Sequence, residues 1–455
     1  MSRTDTYIDE NLPRFREELF DFLRIPSVSA NADRRPDMQR AADWLAHEMR
    51  GAGLEVSVHA TAGHPVVLGE WRGAGAGAPT VLIYGHYDVQ PAEPLELWTS
   101  PPFEPTVRDG RIYARGSVDD KGQLYMHVKA LEALARSEGK LPVNVVLVAE
   151  GEEEVGSDNL VPFLEQMKNR LACDYVVVSD SGMVAPGIPT IGASLRGLAY
   201  FQIDVDGPGK DLHSGSYGGA VLNPATVLCR IIASFHDADW HATIAGFYDQ
   251  VRPAEEARDQ IAQVPFDEEK LREETGAQAL VGEKGYATLE RLWVRPTVEV
   301  NGLLSGYTGE GSKTVLPAHA MAKVSCRLVP DQDPQKIADL FEAHVRRVSP
   351  KEGVTVKVTR MHTGLAWRAQ LGGPLYEAAA RALEAAFGRP PVYAGEGGSI
   401  PIVSDFERVL GAPVLLMGFG LPGENAHAPD EWLDIDTWQR GLHASARLLQ
   451  ELAPG

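Results

Sequence analysis

The stretch TVLIYGHYDVQP at 80–91 sets the fold: an apolar run from Thr80 to Tyr84 stops at Gly85 and delivers His86. A run with no polar alternation is a strand buried on both faces, as in mostly parallel sheets. VNVVLVAEG at 143–151, YVVVS at 175–179 and VLLMG at 414–418 repeat the pattern. Helical spacing lies between and around them. Leu12, Phe15, Leu19, Phe22 and Leu23 form one apolar stripe, which Pro26 ends and in which Pro13 predicts a late start or a kink. Ala41, Trp44, Leu45 and Met49 form a second stripe, and Leu124, Val128, Leu131 and Leu134 mark a helix from about Asp120. Ile435–Leu452 closes the chain as a helix. Strands alternating with helices define an α/β fold, a mixed and mostly parallel sheet flanked by helices.

That alternation is interrupted around Ser194–Gly197. Leu198–Val205, Met321–Val329 and Val354–Met361 read as strands, with helices at Pro224–Phe235 and Asp333–Val348. This is the pattern of a small α+β domain inserted into the first. The boundaries are residues 1–193 and 374–455 for the two parts of the outer domain and 194–373 for the insert. Asp237–Arg295 is polar, and helical pieces joined by long loops are expected there.

The chain has 455 residues, 43 Lys and Arg against 63 Asp and Glu, and a formal net charge of -20. Such a surface repels nucleic acid and anionic membrane, so neither is an expected partner. Cys173, Cys229 and Cys326 are far apart, which argues against a disulfide framework or a thiolate metal site. The N-terminal MSRTDTYIDENLPRF has no apolar core of a signal peptide, and no run approaches the ~20 residues that span a bilayer. A cytoplasmic location is expected.

Position singles out the candidate site. His86, the pair Glu153 and Glu154, Asp180 and His427 each follow one of the four apolar runs, and Asp119 opens the long helix. In open α/β sheets ligands bind beyond the carboxyl ends of the strands. Each residue alone has an ordinary reading: an acidic run is commonly a solvated loop, and Asp119-Asp120 could simply cap a helix. Acids gathered at one sheet edge repel one another unless cations neutralise them. Imidazole and carboxylate without thiolate suit Zn²⁺, Mn²⁺ or Co²⁺.

GHYDVQP at 85–91, RGSVDDKG at 115–122, EGEEEVGS at 150–157 and SDSG at 179–182 resemble the ordered signatures of the M20 metallopeptidases. DLHSGSYGG at 211–219, EGGSIPI at 396–402 and GENAH at 423–427 continue the order, and the likeness is greatest to the non-specific dipeptidase and carnosinase branch. The resemblance implies a zinc-peptidase-like catalytic domain with an inserted lid and dimerisation domain. It implies that two divalent ions are shared by Asp119, one completed by His86 and Asp180, the other by Glu154 and His427. Zinc is the expected metal, with manganese or cobalt as alternatives. Glu153 falls on the general base, Asp88 on the group that orients His86, and a cis peptide is implied at Asp119-Asp120. His213 falls on a lid histidine that stabilises the oxyanion from the partner subunit of a homodimer. Arg327 falls on the residue that binds the substrate carboxylate, and Thr314 and Ser399 fall on further substrate contacts.

Two ions about 3.5–4 Å apart can acidify a water between them, and Glu153 would take its proton and pass it to the leaving amine. The activity implied is hydrolysis of dipeptides or short peptides with a free C-terminal carboxylate. An N-acyl amino acid amidohydrolase would use the same groups. A binding protein that has lost catalysis would lack a ligand or the base, and every one of these positions is filled in the sequence.

Overall fold

The computed structural model describes residues 2–75, 77–398 and 400–454. A nine-stranded mixed sheet forms its larger layer. Four strands at its centre are parallel neighbours, in the order Asn144–Glu150, Thr80–His86, Tyr175–Val178 and Val414–Leu416. These are the four apolar runs, and the Thr80–His86 strand is buried along its whole length. Glu55–His59 and Val66–Trp71 extend one side antiparallel. Thr190–Leu195 extends the other and pairs with both Trp367–Arg368 and Val392–Glu396. The helices Arg3–Leu23, Arg35–Gly51, Lys121–Glu138, Gly373–Phe387 and Ile435–Glu451 contribute to the same hydrophobic core.

The first helix differs from its sequence reading. It starts ten residues before Pro13 and runs through it. Ser2 supplies the reason: its hydroxyl accepts from the Asp5 amide at 3.0 Å, and the Asp5 carboxylate accepts from the Ser2 amide at 2.8 Å. This reciprocal cap satisfies amides that a helix start leaves open.

A second sheet has four antiparallel strands in the order Thr297–Ser305, His319–Leu328, Gly197–Asp206 and Thr355–Gly364. Its Gly197–Asp206 strand alternates buried and half-buried residues, so only one face is covered. The helices Pro224–Ala233 and Pro334–Val348 cover that face, where Phe341 stacks on Phe201 at 4.1 Å between ring centroids. The polar stretch folds as three short helices, Glu255–Ile261, Glu268–Thr275 and Thr288–Trp293, with connecting loops. The edge strand Thr297–Ser305 is exposed over most of its length, and so it lacks the alternation by which a strand is read from sequence.

Candidate metal centre

The parallel order of the four central strands puts their carboxyl ends side by side. His86 is the last residue of its strand. Glu153 and Glu154 lie in the short turn after Asn144–Glu150, Asp180 lies two residues beyond Tyr175–Val178, and His427 lies in the loop after Val414–Leu416. Asp119 reaches the same place from the turn before the Lys121–Glu138 helix, with the implied cis peptide at Asp119-Asp120. Gly122 permits that turn, because a Cβ there would lie 1.9 Å from the Ser117 carbonyl oxygen.

Two groups of potential ligands result, His86 with Asp119 and Asp180, and Asp119 with Glu154 and His427. Within each, the ligand atoms lie within 4.8 Å of one another. The two carboxylate oxygens of Asp119 face in different directions: Oδ1 is 3.1 Å from His86 Nε2, and Oδ2 is 2.8 Å from His427 Nε2. His86 Nε2 is also 3.9 Å from Asp180, and His427 Nε2 is 3.2 Å from Glu154. Asp119 is therefore the one member common to both groups.

The groups around these side chains hold their geometry. His86 Nδ1 donates to the Asp88 backbone carbonyl at 3.1 Å, and the Asp88 carboxylate stands 3.4 Å from the same nitrogen. That carboxylate also accepts from the amides of Glu153 at 3.3 Å and Glu154 at 3.1 Å, so Asp88 fixes the acidic turn as well as the imidazole. Gln90 donates to Glu154 from its side chain at 2.7 Å and from its backbone at 3.1 Å. Asp120 accepts from the His86 amide at 3.2 Å. His427, Asn425 and Asp430 all have positive φ, at 62°, 57° and 56°. Three non-glycine residues in this sparsely populated region mark a strained loop of the kind found at functional sites.

Sequence reading missed Glu431. It is fully buried, and its carboxylate accepts from Arg115 Nη1 at 2.8 Å and from the amides of Gly116, Val118 and Asp119 at 2.9, 3.0 and 3.2 Å. One acid thus ties the turn that carries Asp119 to the loop that carries His427. Only the fold brings these segments, more than 300 residues apart, into contact. Glu396 was also missed. It lines the cleft, and its only signal was as the first residue of the EGGS motif.

Asp119, Glu153, Asp180, Glu396, Glu424 and His427 line a cleft of about 490 Å³. Among the described residues that line it there is no lysine or arginine. Burial, then the charge of Asp180, pushes the Glu153 carboxyl up to about 9. Burial lifts Asp180 to about 7 and Glu396 to about 7. Hydrogen bonds to Asp119 and Glu154 hold His427 up at about 10. Burial opposes ionisation of Asp119 too, but hydrogen bonds from His427 and His86 outweigh it and keep that carboxyl below its ordinary value. This set of oxygen and nitrogen donors, without thiolate, fits borderline divalent cations.

The other predicted residues lie elsewhere. His213 and Thr314 are exposed and adjacent, since His213 pairs with Val315 and the Ser214 amide donates to the Thr314 carbonyl at 3.0 Å. Neither lines the acidic cleft, and Arg327 lines a different one, of about 660 Å³. Ser399 falls outside the described residues.

Fold and site define a metal-dependent hydrolase with paired ligand groups sharing a carboxylate. Residues 82–451 match the profile of Peptidase family M20/M25/M40, and the chain belongs to that family. It is 34% identical to the Cys-Gly metallodipeptidase dug1 of Schizosaccharomyces pombe over 98% of this chain and 97% of that protein. Among solved structures, the M20 family metallo-carboxypeptidase Sso-CP2 from Sulfolobus solfataricus aligns with a TM-score of 0.85 at 34% identity. It covers 96% of this chain and 99% of that one. Human carnosine dipeptidase 1 aligns with a TM-score of 0.85 at 29% identity, over 99% and 98%. The family establishes the chain as a metallopeptidase of the M20 type.

Two outcomes follow from this geometry. Replacing Glu431 by Gln turns an amide N–H₂ toward backbone donors, so metal affinity should fall ~10–100-fold, as when groups that orient ligands are lost. Competition with a chelator measures it, and unchanged affinity would refute the anchoring role. The second outcome concerns pH. In metal-free protein the raised carboxyls and His427 bind protons that the unfolded chain releases at lower pH. Stability should therefore fall as pH rises from about 5 to about 9, and added divalent metal should raise the melting temperature most at the alkaline end. A metal-free melting temperature that stays level or climbs over that range would contradict it.

Proposed function

We propose that this chain cleaves the peptide bond of dipeptides and short peptides that end in a free carboxylate. The observation that carries this reading is the sharing of Asp119 between two ligand groups, with Glu153 in the same cleft. Two divalent ions, zinc first and manganese or cobalt as alternatives, would polarise the scissile carbonyl and acidify the attacking water. Asp119 would hold both, His86 and Asp180 one, Glu154 and His427 the other. Glu153 acts as general base: it takes the proton of the water and delivers it to the leaving amine. Its burial supports that role, because it keeps a carboxylate basic beside other charges. Asp88 orients His86 and the Glu153–Glu154 turn.

His213 is assigned to oxyanion stabilisation in a second copy of the chain. Its Nδ1 accepts from the Gly215 amide at 3.0 Å, which leaves Nε2 for substrate. The homodimer this requires would form through the 194–373 lid. Supporting it, the edge strand Thr297–Ser305 exposes Val300, Leu303 and Leu304 by 42%, 57% and 59%, a liability that pairing with another copy removes. Arg327 would bind the substrate carboxylate, with Thr314 and Ser399 as further contacts. The chemistry would equally serve an N-acyl amino acid, and the dipeptide reading is preferred because the relatives named above include the Cys-Gly metallodipeptidase dug1 and human carnosine dipeptidase 1. A cytoplasmic location agrees with three unpaired cysteines. No helix among the described residues is long and apolar enough to cross a membrane.

Glu153→Gln should retain metal and lose ~10²–10⁴-fold in turnover of a dipeptide. His213→Ala should also retain metal while losing ~10²–10³-fold. Mixed after subunit exchange, the two inactive variants should regain activity, since one site in the hybrid dimer then has both Glu153 and His213. Normal turnover in either variant, or no recovery on mixing, contradicts the corresponding role.

A further inference from the structure

The acidic cleft contains one carboxylate that neither the ligand groups nor the base accounts for. Asp119 and Asp180 belong to the ligand groups, and Glu153 is assigned the proton transfers. Glu424 is engaged by its own loop, accepting from the Leu421 amide at 2.5 Å and the Asp434 amide at 3.2 Å. Glu396 remains. It lines the same cleft as Asp119, Asp180 and His427. Among the described residues, no hydrogen bond or ion pair reaches its carboxylate.

The backbone holds Glu396 in place from both sides. It ends the strand Val392–Glu396, in register with Leu195 of the large sheet. Gly395 before it lies against Trp293, where a Cβ would come within 2.7 Å of the Trp293 Cβ. After it stands Arg196, at the crossover between the strands Thr190–Leu195 and Gly197–Asp206. Arg196 donates from Nε to the Gly397 carbonyl and from its amide to the Gly398 carbonyl, both at 3.1 Å. A group fixed on rigid elements can select a ligand by position as well as by charge.

The chemistry of that position calls for a cation. Glu396 is half-buried, open to the cleft yet enclosed enough that burial lifts its carboxyl. A carboxylate in such a place is costly unless a positive charge or donors meet it. The described lining has no lysine or arginine, and His427 belongs to a ligand group. The charge of Glu396 acts on Asp180, so the cation it receives sits beside the ligands. An N-terminal ammonium is compact and carries three donors. In a dipeptide it lies next to the scissile carbonyl, so a carbonyl held at the ligands brings the ammonium to the neighbouring wall. Met183, Ile400 and Leu421 give the same cleft an apolar part for the adjoining side chain. An N-acyl group has no charge to offer and leaves Glu396 uncompensated.

We propose that Glu396 receives the free α-amino group of the substrate, so that the cleft selects aminoacyl over N-acyl compounds. This rests on the peptidase reading above and separates its two substrate classes.

The test compares Ala-Leu with N-propionyl-Leu, which is the same compound without its amino group. The metal-loaded full chain is assayed as wild type, Glu396→Gln and Glu396→Asp. The wild type should favour Ala-Leu by ~10²-fold or more in kcat/KM. Glu396→Gln should lower kcat/KM for Ala-Leu ~30-fold or more and leave that for N-propionyl-Leu within ~2-fold. Glu396→Asp keeps the charge at a shorter reach, and its preference should fall between the two. Where N-propionyl-Leu turns over too slowly to follow, its inhibition constant against Ala-Leu replaces kcat/KM. Metal content and melting temperature show that each variant is folded. If Glu396→Gln is not, Glu396→Asp alone should still narrow the preference measurably. Equal losses on both compounds, or an unchanged preference in both variants, overturn the proposal and leave the peptidase reading intact. Wild-type cleavage of N-propionyl-Leu as fast as Ala-Leu overturns it in favour of the amidohydrolase. No hydrolysis of either compound by the wild type overturns both.

Discussion

The repulsion among carboxylates governs this structure. Asp119, Glu153 and Asp180 line a cleft at one edge of a sheet, with Glu154 grouped beside Asp119, and the one basic side chain among the described residues lining that cleft is His427. Packing like charges at such range is unfavourable unless protons or cations intervene. Burial first, and then the charge of neighbouring carboxylates, raises the Glu153 and Asp180 carboxyls. The rest of the architecture supplies rigidity against it. Four parallel strands fix the starting points, Asp88 and Gln90 fix the acidic turn, and Glu431 locks the Asp119 turn to the His427 loop.

The separation of the remaining groups fits a two-sheet design. The ligand cleft belongs to the large sheet, whereas Arg327 and the ridge bearing His213 and Thr314 belong to the second. Chemistry at the ligands would then require the second layer, from the same chain or from another copy, to complete the surroundings of the substrate. Completion by closure excludes water and aligns the reacting groups. Arg196 occupies the crossover, in hydrogen-bond contact with the wall of the ligand cleft, and so links the two layers.

Much of this was legible in the sequence, for a physical reason. The central strands are buried on both faces and therefore appear as unbroken apolar runs, and the candidate ligands are among the polar residues that follow them. Glu431 was not legible, because its role exists only once the chain returns to Arg115–Asp119. The Thr297–Ser305 strand was hidden by its exposure on both faces. The first helix was obscured by Pro13 and a polar first half, and the cap that starts it rests on a single serine. Asp88 shows a smaller difference. Its carboxylate was expected to accept from the imidazole; the His86 hydrogen bond goes instead to its backbone carbonyl at 3.1 Å, and the carboxylate accepts from the amides of Glu153 and Glu154.

The central claim is that Asp119 serves two cations at once. Calorimetric titration of metal-free protein with Zn²⁺ tests it most directly, with Asp119→Asn, His86→Ala and His427→Ala as variants. The account predicts two bound ions per chain in the wild type, loss of tight binding at both sites in Asp119→Asn, and one ion retained in each histidine variant. A single ion in the wild type, or one site left at full affinity in Asp119→Asn, would contradict it.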